Sequence, residues 1–221
     1  MNPKYINGMI SMGNLLFESG HAHNAIKYFE QALNYNPKEI QALIGVANAC
    51  YEIRDTAKSV EYYKRVIEID GEIADIYYNL ANAQYLLGRV DEAVENYKKA
   101  LQINPQKVEC IYNLGNAYCN NGDYTEAIQY YLKTITLDAL HDPAFYNLGY
   151  AYHLNGEYEH AIHSYRLAIK LNPHSAECHF NLASAFNDNG DVENAIVHYT
   201  EAGKLDSENI QTHLNLAKLL E

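Results

Sequence analysis

Positive charge is scarce in this chain. Sixteen Lys and Arg stand against 28 Asp and Glu in 221 residues, giving a net charge of −12. That balance argues against nucleic acid or an anionic membrane as the main partner, because both reward concentrated Lys and Arg. No apolar run approaches the length of a bilayer span, and the start Met1-Asn2-Pro3-Lys4 lacks the apolar core of a signal peptide. Cysteine is sparse too: Cys50, Cys110, Cys119 and Cys178 form no CxxC pair, and no Asn-x-Ser/Thr sequon accompanies them. They read as reduced thiols of a cytoplasmic protein. Cys110 and Cys119 lie nine residues apart on one helix, too far for a disulfide. No nucleophile–base pair, phosphate loop or metal motif appears. The expectation is a non-enzyme with no catalytic residue, cofactor or metal.

What the chain has in abundance is itself. Asn113-Leu114-Gly115-Asn116-Ala117-Tyr118 meets Asn79-Leu80-Ala81-Asn82-Ala83 when slid back by one period of 34 residues. Slid forward, it meets Asn147-Leu148-Gly149-Tyr150-Ala151-Tyr152, then Asn181-Leu182-Ala183-Ser184-Ala185-Phe186, then Asn215-Leu216-Ala217. A fixed period of this size marks a solenoid. The gapless register gives repeats 6–39, 40–73, 74–107, 108–141, 142–175 and 176–209. Residues 210–221 begin a seventh, as a partial repeat or capping helix. Stacked repeats share one continuous core, so residues 1–221 are expected to form a single array.

Apolar residues recur at three- and four-residue steps on both sides of a central break, so each repeat is two helices. Gly20, Gly88, Gly122, Gly156 or Gly190 makes the break by ending a helix in the left-handed conformation; Arg54 takes that place in the second repeat. Asp55, Asp123 or Asp191 follows as an N-cap, and Asp123 with Glu126 fits a capping box. Pro37, Pro105 or Pro173 stops the second helix and suits the first turn of the next.

Small residues occupy the eighth place (Gly13, Ala47, Ala81, Gly115, Gly149, Ala183, Ala217) and the twentieth (Ala25, Ser59, Ala93, Ala127, Ala161, Ala195). They allow close helix approach, at the low end of the roughly 8–10 Å range of packed pairs. Phe29, Tyr63, Tyr97, Tyr131, Tyr165 and Tyr199, at the twenty-fourth place, fill the space between.

This pattern resembles the tetratricopeptide (TPR) repeat over residues 6–221. The resemblance implies an all-α fold, a right-handed superhelix whose first helices line a concave groove. Gln84 in place of an aromatic, Arg54 in place of glycine, and Gly203 inside a helix are the departures.

At 100° per residue, the third, fourth, seventh, eighth and eleventh places form the packed face of the first helix, and the second, fifth, sixth, ninth, twelfth and thirteenth fall opposite. That opposite face carries Tyr78, Tyr112, Tyr146 and Phe180 at the fifth place and Asn79, Asn113, Asn147, Asn181 and Asn215 at the sixth. Asn14, Asn48, Asn82 and Asn116 add a row at the ninth. An asparagine amide offers two donors and two acceptor lone pairs, so it pairs with both sides of a peptide bond. The row is thus a candidate site for the backbone of an extended peptide, with the aromatics covering its side chains. It is similar to the inner asparagine row of the TPR domain of O-linked N-acetylglucosamine transferase. The competing reading is that the same amides bridge adjacent repeats.

The clamp that holds the C-terminal tails of Hsp70 and Hsp90 resembles a set of Lys and Arg at the second, fifth and sixth places. Here Gln41, Asp75, Glu109 and Glu177 stand at the second place, with tyrosines and asparagines at the others. No cation at these places can pair with a carboxylate, so chaperone tails are not the partner. The acids favour a neutral or basic segment.

Eight of the ten histidines lie between His141 and His213. His160 and His163 read as surface residues, and His179 and His213 as partly buried and hydrogen-bonded. The leading function is a protein–protein interaction scaffold whose concave groove binds an extended peptide or a helix of a partner. The alternatives are the targeting arm of a larger enzyme such as a glycosyltransferase, and a scaffold that self-associates through uncapped repeat ends.

Overall fold

A computed structural model describes residues 3–220; Met1, Asn2 and Glu221 lie outside the described residues. Within them the chain forms thirteen α-helices and no strand. They are α1 (Pro3–Glu18), α2 (Ala22–Tyr35), α3 (Ile40–Glu52), α4 (Thr56–Ile69), α5 (Ala74–Leu86), α6 (Val90–Ile103), α7 (Val108–Asn120), α8 (Tyr124–Leu137), α9 (Asp142–Leu154), α10 (Tyr158–Leu171), α11 (Ala176–Asp188), α12 (Val192–Leu205) and α13 (Ile210–Leu220). The chain divides into two compact units, 1–110 and 111–221.

Helix ends follow the local chemistry. The five break glycines all have φ between 73° and 84°. Arg54 adopts the same conformation, at φ 64°, although its Cβ makes that costly. Asp55 Oδ1 accepts from Lys58 N at 3.3 Å and Asp191 Oδ1 from Asn194 N at 3.2 Å, as N-caps do. The capping box expected at Asp123 does not form, for its side chain makes no cap bond. Its backbone carbonyl still accepts from Ala127 N at 3.0 Å, and its dihedrals match those of the two aspartates that cap. Nothing in the structure explains the difference. Pro37, Pro105 and Pro173 do not open helices but sit in turns, three residues before α3, α7 and α11 begin, whereas Pro143 lies in the first turn of α9. The cap backbone N–H groups of Asn36, Asn104 and Asn172 continue the preceding helix, and the proline follows at the first position where a missing N–H costs nothing.

In the first unit each helix packs against the next from α1 to α6, around a core that includes Ala25, Phe29, Leu43, Val46, Ala47 and Tyr63. In the second, α8 to α13 pack in the same succession, and Tyr131, Tyr165 and Tyr199 are buried in turn. The eighth-place glycines meet these aromatic rings. A Cβ at Gly13 would stand 2.5 Å from Phe29, one at Gly115 2.8 Å from Tyr131, and one at Gly149 2.7 Å from Tyr165. The small residue therefore makes room for the ring of the facing helix, and the twentieth-place alanines, all fully buried, let the helices close around it. Ala217, on α13, is exposed. On α13, Leu216 and Leu219 pack on the core of the second unit, while Leu214 and Leu220 face outward.

Gln84, the departure from an aromatic, is buried but satisfied: its Nε2 donates to Glu92 Oε2 at 2.7 Å and its Oε1 accepts from Asn96 Nδ2 at 2.7 Å. Burial pushes the Cys50 thiol up to about 11 and those of Cys110 and Cys178 up to about 12. The Cys110 and Cys178 sulfurs donate to the carbonyls of Tyr97 and Tyr165, and all four thiols are free. Such thiols are inert as nucleophiles. No helix among the described residues is long and apolar enough to cross a membrane.

Candidate functional site

The sixth and ninth places of the first helices project from the face opposite the core, and all the predicted site residues are half-buried there. Four of the twenty-fourth-place tyrosines, Tyr63, Tyr97, Tyr131 and Tyr199, reach through the core to the ninth place. Tyr63 Oη donates to Asn48 Oδ1 at 2.6 Å, Tyr97 Oη to Asn82 Oδ1 at 2.6 Å, and Tyr131 Oη to Asn116 Oδ1 at 2.8 Å. Ser184 takes the asparagine's place opposite Tyr199, at 2.8 Å. The ninth place is thus partly structural: its carbonyl oxygen satisfies a phenol whose ring is buried.

At the sixth place the two units differ. In the second unit Asn147 donates to Tyr112 Oη at 2.8 Å and to Asn116 Oδ1 at 2.9 Å, so both its amide hydrogens bridge to the preceding helix pair. Asn181 donates to Tyr146 Oη at 2.7 Å, and Asn215 to Tyr199 Oη at 3.1 Å. Asn113 is also engaged. In the first unit Asn79 has no partner among the described residues. Ile44 stands at the fifth place of the preceding pair, where Tyr112 and Tyr146 supply a hydroxyl to Asn147 and Asn181; Phe180 supplies none either, and there Asn215 turns to Tyr199 instead.

The fifth-place rings lie against the core tyrosines. Tyr78 meets Tyr97 with centroids 6.2 Å apart, Tyr112 meets Tyr131 at 6.0 Å, Tyr146 meets Tyr165 at 5.9 Å, and Phe180 meets Tyr199 edge-on at 5.5 Å. Tyr146 Oη also donates to Glu177 Oε1 at 2.8 Å. Burial, with the Glu177 carboxylate second, drives its phenol far above the ordinary range.

Where the amides are clear of one another, pockets open, and each unit has one built from the same places. In the first unit a pocket of about 220 Å³ is lined by Asn48, Asn79 and Asn82, by Tyr63 beneath, and by Phe17, Tyr51 and Glu52 from the twelfth and thirteenth places. In the second, a pocket of about 280 Å³ is lined by Ser184, Tyr199 and Asn215, and by Asn187, Asp188, Lys218 and Leu219. Tyr146 lines a different pocket of about 190 Å³, with Asp142, Asn172 and Glu177.

Several residues escaped the sequence reading. Lys107, at the last place of its repeat, reaches the second-place Asp75 at 3.0 Å and lies 4.7 Å above the Tyr78 ring. A cation therefore does border the row, but Asp75 already pairs with it. His141, one period on, lies tilted against the Tyr112 ring with centroids 4.7 Å apart. A basic or aromatic residue one period-end after a fifth-place tyrosine was the available signal. His160 and His163 are exposed as expected, and no cluster that could hold a metal ion occurs among the described residues. His179 is buried and its Nδ1 lies 3.1 Å from Nδ1 of His198. His213 is exposed rather than partly buried, although its ring borders Gly203 of α12 and its Nε2 lies 3.0 Å from the Ser207 carbonyl.

An all-helical chain of successive pairs, with glycine breaks and aromatics keyed into small residues, defines a helical repeat protein. The sequence models place it further. Tetratricopeptide repeat models match residues 10–72, 74–107, 96–129, 143–175 and 176–209, and a TPR repeat model matches 115–156. The chain belongs to the tetratricopeptide repeat family. No curated protein matches it by sequence.

Solved structures share the fold. PilF of Pseudomonas aeruginosa is 17% identical with a TM-score of 0.78, over 98% of each chain. YrrB, titled a TPR protein with an unusual peptide-binding site, is 19% identical with a TM-score of 0.76, over 86% of this chain and 97% of its own. MamA of Desulfovibrio magneticus is 20% identical with a TM-score of 0.74, over 77% and 97%.

Proposed function

We propose that this chain is a non-catalytic interaction module that binds an extended peptide segment of a protein partner along the face carrying the sixth and ninth places. One observation carries the reading: Asn79 presents an unpaired amide to a pocket whose walls repeat in the second unit. A half-buried amide that the fold leaves unsatisfied gains from a ligand what its counterparts gain from tyrosine hydroxyls. The asparagine row then serves two ends. Asn147, Asn181 and Asn215 tie neighbouring helix pairs together. Asn79, with Asn48 and Asn82 beside it, is the position at which a peptide backbone is held. Within each unit the fifth-place rings, Tyr78 in the first and Tyr112, Tyr146 and Phe180 in the second, border the amides of that unit and keep the backbone of a ligand off the core.

That YrrB has a peptide-binding site on the same fold supports the reading. With Asp75 already paired to Lys107, the second-place carboxylates of Glu109 and Glu177 favour a neutral or basic segment. The test is peptide display: an extended peptide selected on the immobilised chain should bind Asn79→Ala about tenfold more weakly, for the loss of a donor and an acceptor. Selected peptides that bind the variant and the parent alike would overturn the assignment.

A further inference from the structure

The two matched pockets differ in charge, and the difference is specific enough to name a ligand. In the first unit Glu52 lines the pocket and forms no ion pair or side-chain hydrogen bond among the described residues. None of the residues that line it is a cation. Arg54, whose charge is felt by the Tyr51 phenol, lies outside the lining. Phe17 and Tyr51 supply two half-buried ring faces. The remaining polar groups are the phenols of Tyr51 and Tyr63 and the amides of Asn48, Asn79 and Asn82, and the oxygens of Asn48 and Asn82 already accept from tyrosines. At about 220 Å³ the space is below the roughly 300–1,000 Å³ of a small-molecule site and suits one side chain.

In the second unit the corresponding acid, Asp188, is already occupied: its Oδ2 lies 2.8 Å from His153 Nε2 and its Oδ1 accepts from Asn187 Nδ2 at 3.2 Å. Lys218 lines that pocket as well. A cation entering there meets one of its own sign and a carboxylate already in use.

We infer that the pocket of the first unit takes a lysine or arginine side chain of the bound segment. Its aliphatic stem lies against Phe17 and Tyr51, its charged head pairs with Glu52, and Asn79 holds the adjacent peptide group. Stem burial, cation–ring attraction and a charge-assisted hydrogen bond then act together at one site. The inference rests on the peptide-binding reading above but makes its own chemical claim. The net charge of −12 adds long-range attraction for the same ligand.

The probes are the N-acetyl, N′-methylamide derivatives of arginine, lysine, norleucine and glutamate, titrated to about 20 mM into the labelled full chain while amide shifts are followed. The arginine and lysine probes should shift the amides of Asn48, Tyr51, Glu52 and the Asn79 side chain, and the other two should not. Glu52→Gln should weaken the arginine probe about fivefold, and Asp188→Asn should leave it unchanged. Norleucine binding as well as arginine, no shift at the highest concentration, or Glu52→Gln binding like the parent would each overturn the inference. If the probes fail while displayed peptides still lose affinity in Asn79→Ala, the pocket chemistry is wrong and the peptide-binding reading stands.

Discussion

The two halves of this molecule are built by one rule and finished differently. In both, an aromatic at the twenty-fourth place is keyed into small residues and offers its hydroxyl to the ninth place of the facing helix. In both, a pocket opens between the same places. Yet Asn79 is left unpaired where Asn147 is doubly committed, and Glu52 is open where Asp188 is bonded to His153 and Asn187. At Asn79 the fifth-place hydroxyl that Tyr112 and Tyr146 supply to later amides is missing, for Ile44 stands there. In a repeat protein the scaffold is set by what recurs and the binding site by what fails to recur.

The shared rule is the first thing to break. Ala93 and Ala127, both fully buried at the twentieth place, are equivalent positions in the two units. Changing either to Leu should cost about 1–3 kcal/mol by overpacking, as read by denaturant unfolding. A cost confined to one unit would mean that the packing rule is not common to both.

Acid should separate the units next. His179 and His198 face each other with Nδ1 atoms 3.1 Å apart, and His198 stacks on Phe186, over which Arg166 lies at 5.2 Å. Burial first, then the charges of His179 and Arg166, hold the His198 imidazole below its ordinary range, with Glu201 opposing them. A neutral pair shares one N–H between two nitrogens; a doubly protonated pair sets two donors face to face. Because the folded-state value is depressed, the stabilisation is fully present above the unfolded histidine value near 6.5 and is lost as pH falls through the folded value. Hydrogen exchange at about pH 5 should show α11 and α12 losing protection relative to α3–α6, and His198→Phe should narrow the gap. Equal loss in the two units would remove the pair as the cause.

A smaller effect lies within the second unit. Tyr131 Oη has Asn116 as its acceptor, whereas Tyr165 Oη is buried with no partner, because Tyr150 stands at the ninth place opposite it. Tyr131→Phe should destabilise by about 1 kcal/mol and Tyr165→Phe should be neutral or mildly stabilising. Melting temperatures that fall equally would show that the Tyr165 hydroxyl finds a partner in solution.

The period made most of this legible. Helix pairs, break glycines, aromatic keys and the family followed from residues recurring every 34 positions, and the structure has them where the pattern put them. Two kinds of feature were beyond it. Asp123 has the sequence of a capping residue but does not cap, and an N-cap side chain has several rotamers among which sequence does not select. The bonding of the asparagine row depends on which residue of the neighbouring pair lies across from each amide. Reading that required aligning the sixth place of one repeat with the fifth and ninth of the one before, a relation across the period rather than along it. Lys107 beside Asp75 and Tyr78 was hidden for the same reason.

The division of the row into a bridging part and a binding part is tested most directly by Asn79→Ala and Asn147→Ala, each measured for thermal unfolding and for affinity toward one displayed peptide. Asn79→Ala should stay within about 0.5 kcal/mol of the parent in stability while binding about tenfold more weakly. Asn147→Ala, which strips both bridging bonds, should lose about 1–3 kcal/mol and retain the affinity of whatever remains folded. The reverse pattern, with Asn79 needed for stability and Asn147 for binding, would contradict the account.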